Sequence, residues 1–157
     1  MPNTDSAAPG LAPLLELHAE LGPLQSLGAT PGGEIRLVPI LGGSFEGALL
    51  RGRVLPGGAD WQQVRGDGTL EIRARYLLET DQSELIQVQS EGLRAGSPEV
   101  LARLARGEIP GRDEYYFRTA IRLTTAAPRL LRLNDLLAIA RGERRPRSVV
   151  ITVFEVL

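Results

Sequence analysis

Two acid–aromatic pairs, Phe45-Glu46 and Asp60-Trp61, flank a glycine-rich stretch from Gly42 to Trp61. A carboxylate in a dry pocket has its pKa raised toward neutrality, where it can act as a general base, so Glu46 and Asp60 are the candidate bases. Tyr76 and Tyr116 can donate a proton or a hydrogen bond to a carbonyl. Arg118 can anchor a carboxylate or enolate through its planar fork. Together these residues suit proton transfer on a small carbonyl-bearing or phenolic substrate, as an isomerase, cyclase or lyase without metal or cofactor. Phe45, Trp61 and Asn134 are the candidate ligand contacts. Each residue also has a purely structural role open to it. Tyr76 lies on an apolar strand face, as a core tyrosine does; Trp61 can be a packing anchor; Glu46 and Asp60 can cap turns. A carrier of a small apolar ligand, using the same cavity without chemistry, is the alternative function.

Composition narrows the chemistry. All 18 basic residues are arginine, so lysine Schiff-base catalysis is excluded. The absence of cysteine removes thiolate nucleophiles, disulfides and cysteine metal sites, and the single histidine, His18, cannot build a multi-histidine metal site. The Gly57-Gly58-Ala59-Asp60 run lacks the lysine and helix of a phosphate loop. No nucleophile elbow is present, and a Ser–His–Asp triad has only His18 to draw on. A net charge of −1 without a basic stripe argues against nucleic-acid and membrane-surface partners. No apolar run approaches the ~20 residues that cross a bilayer. The first residues lack the charged and apolar regions of a signal peptide, so the cytoplasm is the expected compartment. In that setting the Arg65-Gly66-Asp67 tripeptide is a turn rather than a receptor ligand.

The elements that must position these groups are mostly strands. Six glycines between Gly42 and Gly58 predict one short strand clamped between two glycine turns, with an acid–aromatic pair at each end. Before it come strands over 14–21, with Leu15, Leu17 and Ala19 on the buried side, and over 34–41, where Pro39 signals a bulge or an edge. After it, Arg65-Gly66-Asp67-Gly68 closes a hairpin turn. Strands over 70–80 and 84–92 follow, the first with Leu70, Ile72, Ala74, Tyr76 and Leu78 on one face. Ser97 caps a short helix that starts at Pro98 and stops before Gly107, with Val100, Leu101 and Leu104 as its apolar stripe. The strand over 114–124 sets Tyr115, Phe117, Ile121 and Leu123 against Tyr116, Arg118 and Arg122. That parity points Tyr116 and Arg118 outward unless a bulge near Tyr115 turns them in. Residues 130–140 are ambiguous between strand and helix, and 141–147 read as a solvated basic turn.

The last segment, 148–157, is apolar at both parities. One face of it suits the core and the other suits a second copy of the chain, so a homodimer or higher homo-oligomer is expected. Residues 1–13 read as a flexible tail and 14–157 as a single domain. The whole is an all-β antiparallel up-and-down barrel of about eight strands with one short helix.

The segments Gly42-Gly43-Ser44-Phe45-Glu46-Gly47, Leu55-Pro56-Gly57-Gly58-Ala59-Asp60-Trp61, Glu114-Tyr115-Tyr116-Phe117-Arg118-Thr119 and Leu133-Asn134 resemble the marks of the domain-of-unknown-function 3237 family. The resemblance spans nearly everything from Leu14 to Leu157. It implies a calycin-like β-barrel and carries no settled general activity. Gln87 and Gln89 depart from it, standing where a larger aromatic or charged residue is expected.

Overall fold

Apolar–polar alternation along successive segments is what closes this chain into a barrel, because one side chain in two must leave water. The computed structural model describes residues 7–157. Its strands are β1 (Leu11–Leu21), β2 (Gln25–Thr30), β3 (Gly33–Glu46), β4 (Arg51–Val54), β5 (Gly58–Val64), β6 (Leu70–Thr80), β7 (Leu85–Ala95), β8 (Tyr116–Thr124), β9 (Ala138–Arg144) and β10 (Ser148–Val156). Helix α1 (Pro98–Ala105) joins β7 to β8, and a 3-10 helix, Pro128–Asp135, joins β8 to β9. Every pairing is antiparallel. The wall runs β1-β10-β9-β8-β7-β6 to β3, and β1 pairs with β3 to close it.

The position between β6 and β3 is shared. β4 pairs with the C-terminal part of β3 and β5 with its N-terminal part, and both pair with β6. The barrel thus has eight wall positions, one filled by β4 and β5 as an interrupted strand, and among the described residues β2 is attached to β3 alone. The short strand expected between two glycine turns is β4, set between the bend after Gly47 and the turn at Pro56-Gly57, but the acid–aromatic pairs expected in those turns belong to the strands on either side. Gly42 and Gly43 lie inside β3, and the Asp60-Trp61 pair sits within β5 rather than in a turn.

Three other boundaries move. Of the tail expected over 1–13, residues 1–6 lie outside the described residues, and Leu11 already pairs with Val156 in β1. β2 was not foreseen, since its side chains are mostly exposed and show no alternation. The expected basic turn begins later, because β9 continues through Arg144. Pro39 does mark an irregularity: β1 pairs Glu20 with Gly42 but Leu21 with Ile40, which leaves Leu41 as the extra residue of a bulge.

The inward side chains separate into two zones. Leu78, Ile86, Val88 and Ile121 are almost wholly buried in the half toward the 3-10 helix, where Phe45, Leu123, Leu130 and Leu133 join them. Each such burial contributes roughly 1.5–3 kcal/mol. The opposite half, where β7 runs out toward α1, carries inward polar groups. There α1 is capped by Ser97, whose Oγ accepts from the Val100 amide at 3.2 Å, and it packs Leu104 into the core.

Candidate functional site

Strand register assembles a polar cluster in that second half. Counting by twos from core positions leads to it on each strand: Ile86, Val88, Ser90, Gly92, Arg94 along β7, and Ala138, Ala140, Gly142, Arg144 along β9. On β5 the inward residues are Asp60 and Gln62, facing Val38 and Arg36 of β3 across the ladder and Ala74 and Ile72 of β6 on the other side. The result is an internal cavity lined by Asp60, Gln62, Tyr76, Ser90, Arg94, Thr119 and Arg144, with an apolar surround that includes Leu17, Ile40, Ile72, Phe117 and Ile151. The space open to the centre of a water molecule is ≈ 50 Å³. One water needs roughly 10–15 Å³ by that measure, so the cavity admits several waters or a small organic group.

Two glycines allow this packing. Gly142 lies under the Phe117 ring, where an added Cβ would stand 2.6 Å from ring carbons, and Gly58 lets the chain pass against the backbone and Cβ of Tyr76. Both neighbours line the cavity.

The electrostatics are uneven. Gln62 Nε2 donates to Asp60 Oδ2 at 2.8 Å, and Gln62 Oε1 accepts from Arg36 Nη2 at 3.2 Å. Asp60 Oδ1 is out of solvent and has no hydrogen-bond partner. Burial raises the Asp60 carboxyl to about 6, against the opposing pull of the Gln62 hydrogen bond and of Arg94. Burial also lowers Arg94 to about 10, with Arg144 and Arg36 acting in the same direction as like charges. Arg144 is lowered as well, first by burial. The Tyr76 hydroxyl is raised by burial and then by Asp60, so it stays protonated at any ordinary pH. Arg94 Nε and Thr119 Oγ1 are buried without partners. Arg144 is held by its backbone, whose N–H donates to Tyr115 Oη at 2.9 Å, and by Nη1, which donates to Ser148 O at 3.1 Å.

Of the residues singled out from the sequence, Asp60 and Tyr76 meet in this cavity. The others do not. Glu46 ends β3 on the outside, by an open surface depression with Arg51, Asp81 and Arg129. Phe45 points inward but is sealed in the apolar zone at 3 % exposure. Trp61 lies on the outer face of β5, 51 % exposed. Tyr116 and Arg118 also face outward. The β7–β8 ladder runs unbroken from Ala95↔Tyr116 to Gln87↔Thr124, so no bulge turns them in, and Arg118 stacks over the Tyr116 ring at 5.2 Å. Asn134 exchanges hydrogen bonds with the Thr125 backbone, accepting from its N–H and donating to its carbonyl, both at 2.9 Å, and donates to Leu131 O at 3.1 Å. Those bonds close the loop at the far end from the cavity.

Arg94, Arg144, Gln62, Ser90 and Thr119 were not singled out in advance. The strand over 84–92 stops short of Arg94, and Arg144 falls in the segment taken for a solvated turn; the parity of each strand, carried two residues further, reaches both.

Among the described residues no helix is long and apolar enough to cross a membrane, and no group of three or more His, Cys, Asp or Glu is placed to hold a metal ion.

A closed antiparallel barrel with a polar, arginine-containing interior at one end defines the class. The chain belongs to the family "Protein of unknown function (DUF3237)", whose model matches residues 9–156. A UPF0311 protein of Rhodopseudomonas palustris is 38% identical over 141 residues, covering 90% of this chain and 92% of that protein. A UPF0311 protein of Clostridium acetobutylicum is 32% identical over 79% of this chain and 78% of its own length. Among solved structures, a conserved protein of unknown function from Rhodopseudomonas palustris superposes with a TM-score of 0.91 at 34% identity, covering 96% of this chain and 99% of its own. A β-barrel-like protein from Acinetobacter baumannii gives 0.85 at 36%, covering 99% and 100%. A structure described as an enzyme from Penicillium herquei shares the fold with a TM-score of 0.73 at 19% identity, covering 96% of each chain.

Proposed function

We propose that the barrel binds a small organic molecule and performs proton transfer on it without a cofactor, with Asp60 as the base. The observation that carries this reading is the Asp60 carboxylate, whose Oδ1 is buried in the cavity without a partner. A base tuned to about 6 is mostly ionised at neutral pH yet accepts a proton readily. Tyr76, kept protonated beside it, supplies the hydrogen bond to a carbonyl or phenolic oxygen. Arg94 and Arg144 meet negative charge that develops as the proton leaves, an effect strengthened by the dry surroundings. The role first assigned to Arg118 therefore passes to residues on the inner face of β7 and β9.

The step is simple in balance. A C–H or O–H bond of the substrate breaks, its proton goes to Asp60 Oδ1, and the electron pair remains on the substrate as an enolate or phenolate. Return of the proton to another atom completes an isomerisation. The test is proton NMR in D2O with a panel of small ketones and phenols. Exchange of a C–H for deuterium faster than in buffer is expected with the native protein, and its loss is expected in Asp60→Asn. Equal exchange by both proteins overturns the assignment of the base. Binding that persists in Asp60→Asn with no exchange in either protein favours the carrier.

We also read the outer face at β10 as the contact for a second copy of the chain, supported by its run of apolar side chains.

A further inference from the structure

Among the described residues, two arginines of the cavity lack an ion-pair partner. Arg94 lines the cavity, is largely withdrawn from water, and forms no ion pair with a carboxylate among the described residues; the same holds for Arg144. Arg36 lies near enough to both to act on them as a like charge. Its own ion pair is the long 3.9 Å contact with Glu34 at the rim. Against these three cations the cavity lining holds one carboxylate, Asp60, on the strand paired with that of Arg36, and its Oδ2 is already engaged by Gln62. An excess of desolvated positive charge costs stability unless an anion offsets it.

The unpartnered polar groups of the cavity and its apolar walls together point to a class of anion. The unpartnered nitrogen of Arg94 is Nε. Side-on, a guanidinium presents Nε–H and one Nη–H in parallel, the fork that matches two oxygens of a carboxylate or a phosphate. A single oxyanion uses only one of them. Thr119 Oγ1, also unpartnered, is in the wall beside it, since Gly92↔Thr119 and Arg94↔Phe117 are successive inward pairs of β7 and β8. Apart from Asp60, Gln62, Tyr76 and Ser90 the remaining lining is apolar, which suits a monoanion with an apolar body better than a doubly charged phosphate. We infer that the cavity takes a small carboxylic acid with an apolar body, held as its carboxylate by Arg94, with Arg144 adding charge and Thr119 a hydrogen bond.

This rests on the reading of the cavity as a binding site and names the class of molecule bound there. The probe pair is benzoate and benzamide, alike in shape and unlike in charge, followed at pH 7 by thermal shift and calorimetry, with acetate and phenylacetate to span size. Benzoate or one of the other two carboxylates is expected to raise the melting temperature, and benzamide to leave it unchanged. Arg94→Met is expected to weaken carboxylate binding about tenfold or more, because both N–H donors of the fork go together. Should Arg94→Met fail to fold, Arg144→Met and the native benzoate–benzamide comparison decide. Arg118→Met, on the outer face, is the control and should bind as the native protein does. Benzamide binding as well as benzoate, unchanged binding in Arg94→Met, or no binding of any of the three carboxylates overturns the inference. Asp60→Asn separates it from the proton-transfer reading: carboxylate binding there is expected to persist or tighten while deuterium exchange is lost.

Discussion

Asp60 and Trp61 are adjacent in the chain and lie on opposite sides of the barrel wall: the carboxylate lines the cavity and the indole faces out from β5. A strand sends successive side chains to opposite faces, so an acid–aromatic pair inside a strand cannot act as one unit. Trp61→Ala is therefore expected to leave ligand affinity within about twofold of native and stability within about 1 kcal/mol, since roughly half of the ring is already in water. A calorimetric titration with benzoate and a urea melt check both. A tenfold loss of affinity would place the indole in the site after all.

Stability should depend on pH through Asp60. Its carboxyl is raised from 3.8 to about 6 on folding. The native state then holds the proton more tightly than the unfolded chain between those values, so stability is greatest below about 4 and falls as pH rises through about 6. The shift corresponds to about 2–3 kcal/mol at neutral pH. Asp60→Asn is expected to flatten this part of the profile and to stabilise the protein at pH 7.5 by an amount of that order. Urea denaturation of both proteins from pH 4 to 8 reads it directly; parallel profiles would show that Asp60 is not the titrating group.

How much of this was legible in the sequence follows from where the alternation is clean. β6 keeps a strict period of two from Leu70 to Thr80, and its inner face, Tyr76 included, is as the pattern predicts. The same holds for Phe117, Ile121 and Leu123 on β8. The cavity arginines were hidden for a physical reason. Arg94 and Arg144 stand at the ends of strands whose preceding inward residues are small, Ser90 and Gly92 on one, Ala140 and Gly142 on the other. Small residues carry little hydrophobic signal, so the pattern fades where the site begins. The start of β5 was hidden by Gly58, which reads as the end of a turn although it serves close approach of the Arg75–Tyr76 backbone.

Gly142 is a point at which the site can be disturbed without touching a polar group. A methyl added there meets the Phe117 ring at 2.6 Å, and the ring is itself 5 % exposed with little room to retreat. Gly142→Ala is expected to destabilise by about 1–3 kcal/mol and to push the ring toward the cavity, weakening carboxylate binding. Denaturant melts and titration on the same preparation test the pair of effects. An unaffected melt would mean that the wall yields at β9.

Asn134 should behave as a structural residue. Its side chain makes three hydrogen bonds to backbone groups of Thr125 and Leu131 around the 3-10 helix. Asn134→Ala leaves the Thr125 amide and carbonyl to find other partners, at an expected cost of about 2–3 kcal/mol. Carboxylate affinity should stay at the native value, because the cavity lies at the other end of the barrel. Loss of affinity without loss of stability would reverse the assignment.

The outer surface of β10 gives the last expectation, and the fold revises its basis. Of the two apolar sets on this strand, the one that includes Val150 faces out, yet Val150 is 7 % exposed within the chain, and Phe154 and Val156 are half-buried. What remains open is a cross-strand row in which Pro13 pairs with Phe154, Phe154 with Ile139, and Leu11 with Val156. Ile139 and Leu11 are both substantially exposed, as is Leu137 beside them. Contiguous apolar area on three neighbouring strands suits an isologous contact in which the row of one protomer lies across that of its partner. A dimer is expected at low micromolar concentration by light scattering. Ile139→Asp, which sets a charge in the middle of the row without touching an inward residue, should shift it to monomer with its melting temperature otherwise preserved at matched protomer concentration. A native protein that is monomeric across that range removes the dimer, and a dimer indifferent to Ile139→Asp moves the contact elsewhere on the barrel.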